Sequence, residues 1–239
     1  MTKEKISIEN REESFYRRYI GGEGFVAYFL LKESKPGADP FGPENKLIFA
    51  AGPLTGTSVA GSGRNSVGAK SPLTGGFGEA EVGGHWGAEL KHAGFDAIVV
   101  EGRAENPVYL WVNDREAEIR EADHLWGRDT GDTQRILIEE LNDKRVQVAQ
   151  IGLGGERLVR YACIMNGSHD AAGRTGMGAV MGSKKLKAVA VRGHGKIKVA
   201  DAEKLKELTE WLLGNPEIWA WAHDFGTGGD TMEAYVSLG

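Results

Sequence analysis

The sequence predicts an α+β protein whose sheet-forming part is duplicated. Three observations predict it: strand-patterned and helix-patterned segments alternate, one helix–strand unit occurs twice, and glycine crowds the same place in both copies. Glycine makes up 35 of 239 residues, about twice the roughly 7% of average usage. Glycine loses more backbone entropy on folding than any other residue, so such density needs a structural or chemical use.

Taken in order, KISIE (Lys5–Glu9) alternates like a short strand, and GFVAYFLLKES (Gly24–Ser34) reads as a helix buried on most sides. KLIFAAG (Lys46–Gly52) is a buried strand entering a Pro-Leu-Thr-Gly turn, a tetrapeptide that recurs at Pro72–Gly75. FDAIVVEG (Phe95–Gly102) and PVYLWVN (Pro107–Asn113) read as strands joined in a hairpin. DTQRILIEELND (Asp132–Asp143) is an amphipathic helix with Ile136, Leu137 and Leu141 inward and Asp132 as cap. VQVAQIG (Val146–Gly152), LVRYACIMN (Leu158–Asn166) and LKAVAVRG (Leu186–Gly193) follow as strands. DAEKLKELTEWLLGNPEIWAWAHDFG (Asp201–Gly226) begins a helical region, and its Leu205, Leu208 and Leu212 make an apolar face that needs a partner.

WGAELKHAGFDAIVVEG (Trp86–Gly102) aligns without a gap on MGAVMGSKKLKAVAVRG (Met177–Gly193). Gly87/Gly178, Ala88/Ala179, Ala97/Ala188, Val100/Val191 and Gly102/Gly193 coincide. Each copy reads as glycine-rich loop, short small-residue helix and buried strand. A glycine loop entering a helix start offers backbone N–H groups to an anion, phosphate above all. Here GGFGEAEVGGHWGA and GSHDAAGRTGMGA supply two such loops, which suits two phosphates or one pseudo-symmetric ligand. One loop alone is equally explained by tight turns between packed layers. GMGAVMG and GAVMGSK come near dinucleotide and P-loop patterns, but the stretch before them, NGSHDAAGRT, is polar where those patterns need an apolar strand.

Composition excludes several classes. An apolar share of 41%, a charged share of 26% and a net charge of −5 are those of a globular protein without the basic excess of a nucleic-acid surface. The longest apolar run, Phe25–Leu31, is too short to span a bilayer, and the polar N-terminus is no signal peptide, so the cytoplasm is expected. Cys163 is the sole cysteine and the six histidines form no ligand pair, so any metal must be held by oxygen, backbone or a prosthetic group. Cys163, Trp86 and Trp111 read as core, and His85 and His169 as half-buried structural histidines.

PENKLIFAAGPLTGTS, GR–x5–KSPLTG, GG–x2–GAELK–x–AG–x–DAIVVEG and IMN–x–H–x–AAGR–x–G–x–GAVMGSK–x–LKA–x–AV occur in that order between about Ile20 and Val199. This series resembles the N-terminal domain of the tungsten-containing aldehyde ferredoxin oxidoreductases. The resemblance implies an α+β domain with layered, duplicated sheets flanked by helices over residues 1–199, and the start of an incomplete helical domain over 200–239. It implies a tungsten (or molybdenum) bis-pterin whose phosphates are bridged by magnesium, and a [4Fe–4S] cluster ligated outside this chain.

Carried over by motif, Arg64 lies between pterin and cluster, where a guanidinium donates hydrogen bonds and offsets cluster charge. Glu81 and Gly83 fall at the first pterin phosphate, and Asp170, Ala171, Gly173 and Arg174 at the second. The main-chain carbonyls of Glu81 and Ala171 would meet magnesium. Asparagine is the familiar residue at Glu81, and arginine occurs at Asp170, so the first position gains a carboxylate near phosphate and the second loses a positive charge. No catalytic residue is assigned to this chain. The implied reaction takes an aldehyde and water to a carboxylic acid, with electrons passed to ferredoxin or a similar carrier. The missing helical domains or a complementary subunit would complete it, a homodimer being one assembly. A non-catalytic pterin-binding or assembly module, or a relic fragment, is the alternative.

Overall fold

The computed structural model describes residues 1–2 and 5–218, which fall into two compact units, Met1–Thr57 with Ser62–Ile197, and Ser58–Gly61 with Lys198 onward. The first unit contains α1 (Glu13–Tyr19), α2 (Glu23–Glu33), β1 (Leu47–Ala51), β2 (Asn65–Lys70), β3 (Phe77–Val82), α3 (Trp86–His92) and β4 (Ala97–Val100). It continues with β5 (Val108–Asn113), β6 (Glu116–Glu121), α4 (Thr130–Leu141), β7 (Gln147–Gln150), α5 (Leu153–Glu156), β8 (Ile164–Asn166), β9 (Asp170–Ala172), α6 (Met177–Ser183) and β10 (Leu186–Arg192). In the second unit α7 (Ala202–Gly214) is capped by Asp201, whose side chain accepts from the Lys204 N–H at 2.9 Å.

The duplication extends to whole sheets. The first sheet has the order β3-β2-β1-β4, and the second β6-β5-β10-β7-β8-β9. Its portion β9-β8-β7-β10 repeats the first sheet strand for strand, with every pair antiparallel in both. Trp86 and Met177, matched in the sequence, are each the first residue of their helix. The second copy then adds β5, parallel to β10, and its hairpin partner β6.

Both repeated helices lie between the sheets. Leu47, Phe49 and Val67 of the first sheet, Leu110, Val189 and Val191 of the second, and Trp86, Leu90, Met177 and Met181 of α3 and α6 form one buried cluster. The helices also cross between copies: Trp86 Nε1, in the first, donates to the Val189 carbonyl of the second at 2.9 Å. α2 covers the outer face of the first sheet with Phe25 and Val26 on Ile48 and Ala50. α4 covers the second with Leu137 on Val148, Ala188 and Ala190, so the layers run helix, sheet, helices, sheet, helix. All seven residues of α6 are buried. A Cβ on Gly178 or Gly182 would run into the carbonyl oxygen of Cys163 or of Gly155, so these glycines serve close backbone packing.

Several expected elements differ. Lys5–Glu9 forms no strand and is exposed; neither sheet includes it. β4 and β5 are not a hairpin: they belong to different sheets, and β5 turns back on β6 through Asp114 and Arg115, both at positive φ. Leu158–Asn166 is a strand only from Ile164, which leaves Cys163 half-buried in the irregular segment before it. The cap of α4 is Asp129, which accepts from the Asp132 N–H at 2.8 Å. Each presumed glycine loop contains a strand, β3 in the first and β9 in the second. Trp86 is wholly buried but Trp111 is half-buried, and His85 and His169 are exposed. On α7 Leu205 and Leu212 are half-buried and Leu208 is 54% exposed; residues beyond 218 of the expected helical region lie outside those described.

Candidate functional site

β3 and β9 are the outer strands of equivalent hairpins, and the two copies meet along them. Gly83 directly follows β3, and Gly173 directly follows β9. Glu81 and Ala171 each stand one residue before the end of those strands, opposite Ser66 and Met165. The residues expected at the two phosphates thus occupy matching positions of the duplicated unit. All four carbonyl and amide positions sit on outer strands or the turns that follow them, where backbone groups lack a further strand as partner.

The second copy grips the first loop. Asn166 Nδ2 donates to the Gly83 carbonyl at 2.9 Å and to Asn65 Oδ1 at 3.0 Å. The Asp170 carboxylate lies against the same turn: Cβ atoms placed on Gly83 and Gly84 would stand 2.8 and 3.0 Å from its two oxygens. On the other side Arg174 reaches back to β3, with Nη2 donating to Glu79 Oε2 at 3.2 Å. Thr175 Oγ1 donates to the Glu79 carbonyl at 3.1 Å. Glu79 is 8% exposed, and burial pushes its carboxyl above the ordinary range against the opposing effects of Ser66 and Arg174.

The two Pro-Leu-Thr-Gly turns brace this region. In the first, Thr55 Oγ1 accepts from the Gly52 N–H and donates to the Arg64 carbonyl, both at 2.9 Å. Beside the second, Ser71 Oγ accepts from the Leu73 and Thr74 N–H groups at 3.1 Å and donates to the Thr175 carbonyl at 2.7 Å. Arg64 itself is exposed, one residue before β2, and its neighbour Gly63 abuts the Gly84 carbonyl, 3.1 Å from a Cβ placed there.

Arg64, Glu81, Gly83, Asp170, Ala171, Gly173 and Arg174 therefore belong to one region, tied together by residues the sequence did not single out: Asn65, Glu79, Asn166 and Thr175. Asn65 and Asn166 stand inside quoted motifs, and a buried asparagine in a strand was the available signal. Asn65 Nδ2 and Asn166 Oδ1 are buried and find no partner among the described residues. Among those residues no group of three or more His, Cys, Asp or Glu side chains could hold a metal ion, and no helix is long and apolar enough to cross a membrane.

Comparison with known proteins bears on this geometry. The tungsten-containing aldehyde ferredoxin oxidoreductase of Pyrococcus horikoshii is 56% identical over 226 residues, covering 93% of this chain and 37% of that relative. The protein of the same name from Pyrococcus abyssi is 54% identical over 231 residues, covering 95% of this chain and 38% of its own length. Among solved structures, the active-site complex BamBC of benzoyl coenzyme A reductase, in complex with 1,5-dienoyl-CoA, matches with a TM-score of 0.88 at 42% identity, over 90% of this chain and 33% of that one. The chain thus spans a little over a third of the length of the curated relatives it matches. With residues 1–193 matching the family model for the aldehyde ferredoxin oxidoreductase N-terminal domain, the chain belongs to that family.

Proposed function

We propose that this chain is the cofactor base of a tungsten (or molybdenum) bis-pterin oxidoreductase working in the cytoplasm. The reaction is RCHO + H2O → RCOOH + 2H+ + 2e−, with the electrons leaving through a [4Fe–4S] cluster to ferredoxin or a similar carrier. The observation that carries the reading is the matched pair of sites, Glu81 with Gly83 and Ala171 with Gly173, on duplicated hairpins that meet. The relatives' shared name, tungsten-containing aldehyde ferredoxin oxidoreductase, supports the metal and the substrate class. The benzoyl coenzyme A reductase match shows why the fold alone would not choose the substrate.

The residues present fit such a group. A Cβ on Gly173 would meet nothing nearer than the Ala171 carbonyl at 3.8 Å, so the second loop opens onto free space. Among the described residues no acceptor takes the N–H of Gly84, His85, Gly173 or Arg174, and the Arg174 side chain is 70% exposed. In this reading those N–H groups and Arg174 bind the pterin phosphates, the carbonyls of Glu81 and Ala171 meet magnesium, and Arg64 donates between pterin and cluster. The bound group supplies the two-electron chemistry, and the chain's residues bind it and orient it. With Cys163 the only cysteine, the cluster ligands come from the remaining length of the enzyme or from a partner subunit.

The test is co-expression, in tungstate, with a chain supplying the rest of the relatives' length. The complex should retain one tungsten and a pair of pterins, and Arg64→Ala should shift the cluster's reduction potential while leaving pterin content in place. A complex without pterin would end the reading, and an unmoved potential would remove Arg64 from its assigned role.

A further inference from the structure

The two loops are equivalent in topology but not in what faces them. Beside Gly173 the space is open, with the nearest atoms at 3.8 and 4.0 Å from a placed Cβ. Beside Gly83 and Gly84 the corresponding space holds the Asp170 carboxylate, at 2.8 and 3.0 Å. Asp170 is itself held in register opposite Asn166, the residue that fixes the Gly83 carbonyl. Two further carboxylates, Glu79 and Glu81, lie on the β3 side, and Arg174 is engaged by Glu79 at 3.2 Å. Unpaired atoms of Asn65 and Asn166, residues 2% and 4% exposed, border the same turn; the Asn166 Cβ is 3.6 Å from a Cβ placed on Gly84.

We propose that Asp170 is a resident anion at the first loop, so that the two halves of the cradle load in order: a phosphate enters the Gly173–Arg174 loop first, and the Gly83–Gly84 loop accepts one only when Asp170 is displaced or its charge is offset. Like charges a few ångströms apart at a partly desolvated surface repel by an amount worth roughly tenfold in affinity. The inference rests on the cradle reading above and adds to it an asymmetry that the duplicated sequence does not contain. It makes Asp170 a residue that sets loading order; the Asn166 bond to the Gly83 carbonyl keeps the turn in place when Asp170 is changed.

The experiment uses the 239-residue chain, labelled with 15N, and inorganic phosphate as the probe. Amide shifts of Gly83, Gly84, Gly173 and Arg174 are followed during titration of the wild type, Asp170→Asn and Asp170→Ala. In the wild type Gly173 and Arg174 should respond at lower phosphate concentration than Gly83 and Gly84. Asp170→Asn, which removes the charge and keeps the bulk, should bring the first loop's response about tenfold lower in concentration, and Asp170→Ala, which also clears the space, at least as far. Equal responses of both loops in the wild type would overturn the inference and leave the cradle standing. No response at either loop in any of the three chains would remove the cradle, and the inference with it.

Discussion

Lys184 is a charge placed where water does not reach. It is 1% exposed, and its ammonium donates to the carbonyls of Asn45 and Gly102, with no carboxylate partner among the described residues. Burial, then the charges of Arg103 and Lys46, push it down to about 7 from its ordinary 10.5. Between those values the unfolded chain holds the proton and the folded one releases it, so stability rises with pH through that window. Lys184→Met should flatten this rise, read as urea midpoints at pH 7 and pH 10; a rise of the same size in both proteins would refute the burial argument. Glu79 works in the opposite sense. Its carboxyl is raised above the ordinary 4.5, chiefly by burial, so the fold favours the protonated form and stability falls as pH climbs through the window above 4.5. Glu79→Gln should remove that fall, and a Glu79→Gln profile that still declines there would locate the effect elsewhere. Neither residue announced itself in the sequence, because each is buried by segments remote along the chain: Glu79 is met by Arg174, and Lys184 by the Asn45 carbonyl. The roles proposed for Arg64, Gly83 and Gly173 rest on motif resemblance, since an exposed arginine and a turn glycine carry no local mark of function.

Helices and strands show which physical signals survive in a sequence. β1 and β10 were legible by their apolar runs LIFAA and AVAV, β7 by apolar residues interleaved with Gln147 and Gln150, and α4 by its 3.6-residue period. β2 and β3 were not, because NSVGAK and FGEAEV are built from small and polar residues that read as loop. They become strands through pairing: β2 lies between β1 and β3, and Gly68 admits Val26 of α2, which a Cβ there would strike. The reverse holds at Lys5–Glu9, where alternation alone makes no strand and the segment joins neither sheet. The same dependence on neighbours governs α6. Replacing a helical glycine by alanine normally gains about 1 kcal/mol from propensity. At Gly182 the new Cβ would meet the Gly155 carbonyl, and overpacking against fixed backbone costs about 1–3 kcal/mol or more. Gly182→Ala should therefore destabilise the protein by a net of about 1 kcal/mol or more in denaturant unfolding, and a gain in stability would show that α5 and α6 can separate. Asp129→Ala, which removes the side-chain acceptor for the Asp132 N–H, should cost about 1 kcal/mol by the same measurement.

At the scale of the molecule, the repeat visible between Trp86–Gly102 and Met177–Gly193 foretold two equivalent units but not that they would be interlocked. Here the layer between the sheets is made by both: α3 of the first copy bonds Val189 of the second through Trp86, and α6 of the second packs on Met177, Val180 and Met181 against Phe49, Val67 and Ala80 of the first. A half expressed alone would present one face of its sheet to water where the other half belongs, and chains of about 100 residues have only about 5–15 kcal/mol of stability to lose. Burial of each large apolar side chain contributes about 1.5–3 kcal/mol, so exposing even half a dozen exceeds that margin. Residues 1–104 and 105–197, produced separately, should each lack a cooperative thermal transition, and mixed they should regain one together with the environment of the buried Trp86. Cooperative unfolding of 1–104 by itself would mean that the first sheet and α3 suffice for a core, and the two loops of the cradle would then be free to move apart rather than being held by a shared interior.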